Sequence, residues 1–449
     1  MAVVPLLSGH TLLVFLLQVG LLLGTALVLG RMAARLRMPA VVGELTAGVL
    51  LGPSVLAHLA PGIGGWLLPR AAAQLNLLDA LGQLGVLLLV AVTGMHMDLK
   101  LIRQRGATAA KVSGAGLLLP LGLGIGAGFL LPDMLRPDTA SPLVFALFLG
   151  VAMCVSAIPV IAKTLIDMKL IHRNLGQLVL LAGTIDDAFG WLMLSVVSAL
   201  ATTGLHAAGV AYSVLSLLGV LLFSATIGRY LVRTAMRLAL RSGEPALPVA
   251  VAVVLVILCS AGTHALRLEA VLGAFVCGIL LGTCRDLGTG SAPGTAWATP
   301  LRTVVLSVLA PLFFATAGLR MDLAALGRAD VAIAAVVVVA LAVAGKFLGA
   351  GLGAAMSRMN RWEALALGAG MNARGVVEIV IASVGLTAGI LSIEMYTIIV
   401  LVAVLTSVMA PPILRIAMKR IEQTAEEELR EQQQHQLGDP ESTRARSTG

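Results

Sequence analysis

Leu178–Val196 reads LVLLAGTIDDAFGWLMLSV. Two adjacent carboxylates, Asp186 and Asp187, stand in the middle of an otherwise apolar run. At ~1.5 Å per helical residue the pair lies roughly 15 Å deep, near the centre of a bilayer. A single charge there costs at least ~2.5 kcal/mol on insertion scales. Two neighbouring acids cost more, because like charges so close cannot both ionise cheaply. Two adjacent acids are a costly way to staple one helix, so the pair reads as functional chemistry held inside a membrane.

The rest of the chain fits a membrane setting. Of 449 residues, 58% are apolar and 12% charged, against about 25% charged in ordinary soluble domains. Apolar runs of roughly 20 residues, long enough to cross a bilayer, recur throughout. Hydropathy predicts an all-α polytopic protein of about thirteen transmembrane helices. They fall near residues 11–30, 39–59, 76–95, 109–131, 141–165, 173–203, 210–231, 247–265, 268–284, 298–319, 330–356, 361–387 and 390–417. The first lacks a basic flank and is long for a signal h-region, so it is expected to be a retained helix.

Basic residues give the direction of threading. With the N-terminus outside, the inner loops hold eighteen Lys and Arg and the outer loops five. That bias follows the positive-inside rule and places the C-terminus in the cytoplasm. The formal net charge of +8 is therefore a topology signal and does not indicate nucleic-acid binding. Cys154, Cys259, Cys277 and Cys284 lie in or at the ends of apolar segments without a CxxC pair. They read as small core hydrophobes. The histidines are scattered, and no resident cofactor is expected.

Three segment pairs repeat in order. GELTAGVLLG (Gly43–Gly52) matches GAFVCGILLG (Gly273–Gly282), AVTGMHMDL (Ala91–Leu99) matches ATAGLRMDL (Ala315–Leu323), and ALFLGVAM (Ala146–Met153) matches ALALGAGM (Ala364–Met371). Each pair is seven spans apart, an odd number, so the copies are expected to run in opposite directions. Two inverted repeats of six helices with a midplane site are a recurring plan of secondary transporters. The expected division is 1–205 for the first repeat, 206–245 for a linker span, 246–418 for the second repeat and 419–449 for a disordered cytosolic tail.

Other charges fall at membrane depth. Lys346 follows the run DVAIAAVVVVALAVAG with no acid within a helical turn. A buried lysine needs a counter-charge or loses its proton, and Asp186 is the expected partner. Two spans are expected to be broken and to cross. One contains CVSAIPVIAK, where Pro159 removes a helical hydrogen bond, and its repeat partner contains GAGMNARGVVE. Such breaks free carbonyls and expose hydroxyls such as Ser156 to a cation. Lys163, Arg374 and Glu378 are placed to offset the partial charges of the half-helix ends. Thr93, His96, Asp98 and Asp322 read as helix-end caps, and Glu44 as structural.

VVGELTAGVLLGPS (Val41–Ser54), LGQLGVLLLVAVTGMHMDL (Leu81–Leu99), SAIPVIAKTL (Ser156–Leu165), TIDDAFGW (Thr184–Trp191), GKFLG (Gly345–Gly349) and MNARGVVE (Met371–Glu378) together resemble the monovalent cation:proton antiporter-2 family. Its members include Kef-like and NapA-type sodium/proton antiporters. The resemblance covers about residues 10–415. It implies an NhaA/NapA-like fold, with a core domain holding the broken spans and a separate dimerisation domain. It implies a homodimer in the plasma membrane that exchanges a monovalent cation for protons, Na⁺ first, with K⁺ and Li⁺ the other candidates. Asp187 would be the principal cation and proton carrier, the residue that meets the transported metal, with Ser156 beside it. Asp186 would be its neighbour and the partner of Lys346, as in the electrogenic branch. The chain departs from the family at Ala157 and Pro159, and carries Asp-Asp where Kef-type systems have Gln-Asp.

Three other readings compete. A sodium-coupled organic solute symporter of the bile-acid-transporter type shares the crossed-helix plan but has no need of adjacent aspartates. An intramembrane aspartyl protease needs one Asp on each of two facing helices. Neighbouring residues instead diverge by about 100° round one helix. A channel is at odds with an inverted repeat, which favours alternating access.

Overall fold

The computed structural model describes residues 8–36, 38–68, 72–95, 106–157, 161, 165, 168, 170, 173–203, 207–284, 297–424 and 427–428. The described residues form helices and contain no strand. In chain order the main ones are α1 (Gly9–Arg35), α2 (Ala40–Leu51), α3 (Ala72–Met95), α4 (Gly106–Leu130), α5 (Pro142–Cys154) and α6 (Asn174–Thr203). Then come α7 (Ala207–Phe223), which continues through a π-turn into α8 (Arg229–Arg241), α9 (Leu247–Ala265) and α10 (Ala270–Gly282). The last group is α11 (Ala298–Val304), joined by a second π-turn to α12 (Ala310–Leu319), then α13 (Ala329–Met356), α14 (Arg361–Met371), α15 (Val376–Thr387) and α16 (Ile393–Met418).

Each of the thirteen expected stretches holds helix. Among the described residues ten helical spans are long and apolar enough to cross a membrane unaided, and α14 and α15 form one more as a pair bent by 44°. The apolar helices α5 and α10 are shorter, at 13 residues each. About 20 Å of helix at ~1.5 Å per residue does not cross the hydrocarbon core alone.

The outer surface is that of a protein in lipid. In α1 the buried residues Val14, Gln18, Leu22, Ala26, Gly30 and Ala33 form one stripe spaced by three or four. Leu13, Leu16 and Val28 on the remaining faces are exposed and equally apolar. A water-facing helix would be polar there. Between helices the contact is made by small residues, which let backbones approach closely.

The helices sort into two packed groups. In one, α2 lies on α1 and α12, and α10 lies on α3 and α9. In the other, α4 lies between α5 and α13, while α14 and α15 pack on α16. The carboxylate helix α6 touches α4, α5, α14 and α15 of the second group and α10 of the first.

Contacts in the first group are reciprocal. A Cβ on Gly48 would stand 1.9 Å from the Ala315 carbonyl oxygen, and one on Gly278 would stand 2.2 Å from that of Ala91. Gly278 is the repeat counterpart of Gly48, and Ala315 that of Ala91. A Cβ on Gly318 would stand 2.2 Å from the Leu45 carbonyl oxygen and one on Gly94 would stand 2.5 Å from that of Phe275, again as swapped counterparts. No side chain fits at these four positions without moving backbone.

Candidate functional site

Two interrupted helices build the site. α5 ends at Cys154, and Val155 is extended, with φ −78° and ψ 147°. α14 ends at Met371, and α15 restarts at Val376 after Gly375, whose φ of 149° strongly favours glycine. The chain leaving α5 meets the break between α14 and α15, where the Ala157 N–H donates to the Ala373 carbonyl at 3.0 Å. Pro159 and Lys163 lie outside the described residues, as do His96 and Asp98.

Two carbonyls freed at the end of α5, and one carbonyl of α13, are held by one cation. Arg374, fully buried, donates to the carbonyls of Ala152 (3.2 Å), Met153 (2.6 Å) and Ala342 (3.2 Å). It also pairs with Glu378 at 3.2 Å, one turn along the chain. Ser407 donates to the Arg374 carbonyl. A buried guanidinium needs this many partners, because an unpaired charge costs several kcal/mol in such a place. The C-terminal end of α5 carries negative partial charge, which the guanidinium offsets. Asn372, at the end of α14, is completely buried, and its side-chain amide has no hydrogen-bond partner among the described residues.

The central group sits beside this junction. Asp186 lies about 18 Å along α6 from Asn174 at ~1.5 Å per residue. Its Oδ2 accepts from Lys346 Nζ at 2.7 Å, and both side chains are completely buried. Lys346 therefore does not reach for a membrane surface. Ser156 Oγ stands 2.7 Å from Asp186 Oδ2 and 2.8 Å from the Met371 carbonyl, and it accepts from Lys346 Nζ at 2.8 Å. Its single proton serves one acceptor at a time. Ser113 of α4 donates to the other carboxylate oxygen of Asp186 at 2.7 Å.

Asp187 follows, also completely buried, and its side chain leaves the helix about 100° away. The salt bridge of Lys346 is made to Asp186. Ser156, grouped with Asp187 in the sequence reading, thus sits on Asp186. Asp186 is saturated by one ammonium and two hydroxyls from three other helices or breaks. The neighbouring carboxylate points to a different sector, where a charge change does not first require breaking that pair.

Two features escaped the sequence. One is Ser113. The other is on the surface at the start of α6, where Glu427 accepts from the Asn174 backbone N–H at 2.6 Å and from that of Thr424 at 2.9 Å. Arg173 lies 3.2 Å from the Glu427 carboxylate and donates to the carbonyls of Ile421 and Glu422 at 3.0 Å each. Residues 419–424 and 427–428 of the tail expected to be disordered are thus held against the start of α6, and the rest of the tail lies outside the described residues. The helix-end reading of Asp322 matches its contacts, whereas Thr93 makes only an i→i−4 bond inside α3. Asp322 accepts from the Ala324 and Ala325 N–H groups, and Thr93 donates to the Leu89 carbonyl.

Residues 22–420 match the family described as sodium/hydrogen exchanger, transmembrane. The chain belongs to the sodium/hydrogen exchanger family. Among individual members of that family it is 30% identical to the Na(+)/H(+) antiporter NhaS4 of Synechocystis, over 90% of this chain and 97% of that one. It is 27% identical to the Na(+)/H(+)-K(+) antiporter GerN of Bacillus cereus, over 89% and 95%. Cation/H(+) antiporter 17 of Arabidopsis thaliana is 29% identical over 91% of this chain, which spans 49% of that longer protein. The solved structure of the sodium proton antiporter MjNhaP1 from Methanocaldococcus jannaschii superposes with a TM-score of 0.67 at 14% identity. It covers 91% of this chain and 99% of the other, so the fold is shared. The exchanger family comprises multi-pass membrane transporters and not enzymes. The solute-symporter alternative gains no support from these relatives.

Proposed function

We propose that this chain exchanges a monovalent cation for protons across the plasma membrane by alternating access, with Na⁺ the first candidate and K⁺ or Li⁺ next. The observation that carries the reading is the buried Lys346–Asp186 pair beside a second buried carboxylate, Asp187, next to the end of α5 and the break between α14 and α15. The relatives named above, Na⁺/H⁺ and cation/H⁺ antiporters, support the same substrate class.

In the proposed cycle Asp187 holds a proton or the cation, never both. When the cation arrives, Asp187 releases its proton. If the metal also draws Asp186 and Ser156 away from Lys346, the lysine loses its counter-charge in a low-dielectric site and releases a proton as well. One cation then exchanges for two protons, so the cycle moves net charge. Arg374 and Glu378 keep the junction fixed, and Lys163 is assigned the same role for the first break.

The accompanying arrangement is an N-terminus outside, a cytoplasmic C-terminus and a homodimer. The repeats at 1–205 and 246–418 are related by inversion, with 206–245 as linker and 419–449 as tail. The reciprocal glycine contacts support a two-fold relation between the repeats.

The test uses proteoliposomes loaded with a pH-sensitive dye. Addition of Na⁺, K⁺ or Li⁺ should shift internal pH, and an imposed membrane potential should change the rate. Absence of any cation-driven proton flux would overturn the proposal.

A further inference from the structure

A line of buried polar groups runs along α6 away from the carboxylates. Trp191, Ser195 and Ser198 are at most 4% exposed. The Trp191 indole N–H and the Ser195 hydroxyl have no hydrogen-bond partner among the described residues, and Ser198 has only the Glu269 carboxylate near it. At ~100° per residue they lie about 40°, 80° and 20° round the helix from Asp187, so all three share its side. At ~1.5 Å per residue they stand roughly 6, 12 and 17 Å along it. The Trp191 ring meets Phe275 of α10, with centroids 6.1 Å apart. The line therefore lies on the seam between the two helix groups.

The line ends at an acid and a cavity. Ser198 faces the Glu269 carboxylate, which His264 also approaches. Glu269 lines a cavity of about 310 Å³ shared by α3, α12 and α15, together with Asp79, Gln83, Thr316, Arg320 and Ser383. At ~30 Å³ per molecule that space holds about ten waters. Asp79 is bound to Arg320. Glu269 makes no salt bridge among the described residues.

A buried polar group without a partner normally costs about 1–3 kcal/mol. Two on one helix side, Trp191 and Ser195, in a line that runs from a carboxylate past Ser198 to a polar cavity, need an occupant. Water or a passing cation satisfies the hydroxyls as acceptors, and the indole N–H donates only to water or another acceptor. We infer that this side of α6 is the access route to Asp187 from the Glu269 face, opposite the docked tail, and that Glu269 is the carboxylate that gathers cations at its mouth. The inference rests on the proposed exchange for the identity of the traffic, but the route itself is readable without transport.

The test has two arms. First, Ser198→Cys is placed in a chain whose four native cysteines are alanine, and a membrane-impermeant cationic thiol reagent is applied to right-side-out and inside-out vesicles. Labelling is expected from one side only, and Glu269→Gln should slow it. Failure to label from either side, or equal labelling from both, would overturn the route. Second, Glu269→Gln in the otherwise unaltered chain should raise the apparent KM for the cation about three- to tenfold on that same side, through loss of local attraction, with the other side unaltered. An unchanged or two-sided KM would remove Glu269 from the mouth. Labelling does not depend on exchange. A chain that labels on one side but moves no protons would therefore defeat the proposed function and leave the route standing.

Discussion

Lys346 Nζ stands 2.7 Å from Asp186 Oδ2 across 160 residues of sequence, with both side chains sealed from solvent. The pair ties α13 to α6 at membrane depth. Removing one partner of a buried pair leaves a lone charge and typically costs about 3–5 kcal/mol, whereas removing both costs far less. Lys346→Gln should therefore lower the unfolding temperature in detergent by several degrees, and Asp186→Asn added to it should recover most of the loss. A double variant no more stable than the single one would mean that the pair does not act as a unit. In proteoliposomes Lys346→Gln should keep some exchange with a weaker response to membrane potential. Unchanged electrogenicity would remove the lysine from the charge-moving step.

Asp187→Asn is expected to abolish cation-driven proton flux while folding stays near parental. The carboxylate proposed to trade metal for hydrogen ions is gone, but the Asp186–Lys346 tie remains. Flux at the parental rate in reconstituted vesicles, with protein of normal elution and melting behaviour, would refute the assignment.

Ser113 and Ser156 both donate to Asp186 at 2.7 Å. Hydrogen bonds to a charged group contribute about 1.5–3 kcal/mol. Ser113→Ala should destabilise the chain by that order, read by thermal unfolding. It should also alter the apparent KM for the cation less than Ser156→Ala does, because Ser156 additionally contacts Lys346 and the Met371 carbonyl. Equal KM effects would place the two hydroxyls in equivalent roles.

The docked tail should respond to acid. Burial pushes the Glu427 carboxyl up, but the Thr424 and Asn174 backbone N–H groups and Arg173 outweigh it, and the net position is below the ordinary carboxylate value. A group lowered on docking contributes fully above its undocked value, ~4.3 for Glu, and its contribution fades as pH falls through the docked value. Hydrogen exchange over residues 421–428 should be slow at neutral pH and faster in acid. Glu427→Gln should speed it roughly fivefold at pH 7, the equivalent of losing ~1 kcal/mol of helix-end capping. An unchanged rate in that variant would mean that the carboxylate does not hold the tail.

How much of this could be read beforehand follows from what hydrocarbon tolerates. Asp186, Asp187, Lys346 and Arg374 stand out in sequence because charge is rare at that depth. The breaks stand out because of Pro159 and of the Gly and Asn around Arg374. Ser113 does not, since a serine in a helix commonly bonds its own preceding turn. That Ser156 serves Asp186 and not Asp187 depends on the rotational setting of α6, which apolar residues on every side of the helix leave undefined. The Arg173–Glu427 contact joins positions 254 residues apart, beyond any periodic signal. The shortness of α5 was hidden because apolar sequence, VSAIPVIA, continues past its C-terminal end.

The swapped contacts of Gly48 on Ala315 and Gly278 on Ala91 bear on how such a machine arises. A half-length chain would carry donor and recipient of the same fit, so two identical copies would complete one another, and any bulky change would strike both sides at once. Fusion into one chain removes that bond between the halves. A frame kept paired in that way would leave its contents free to diverge, and here Asp186 and Asp187 stand in one half and Lys346 in the other.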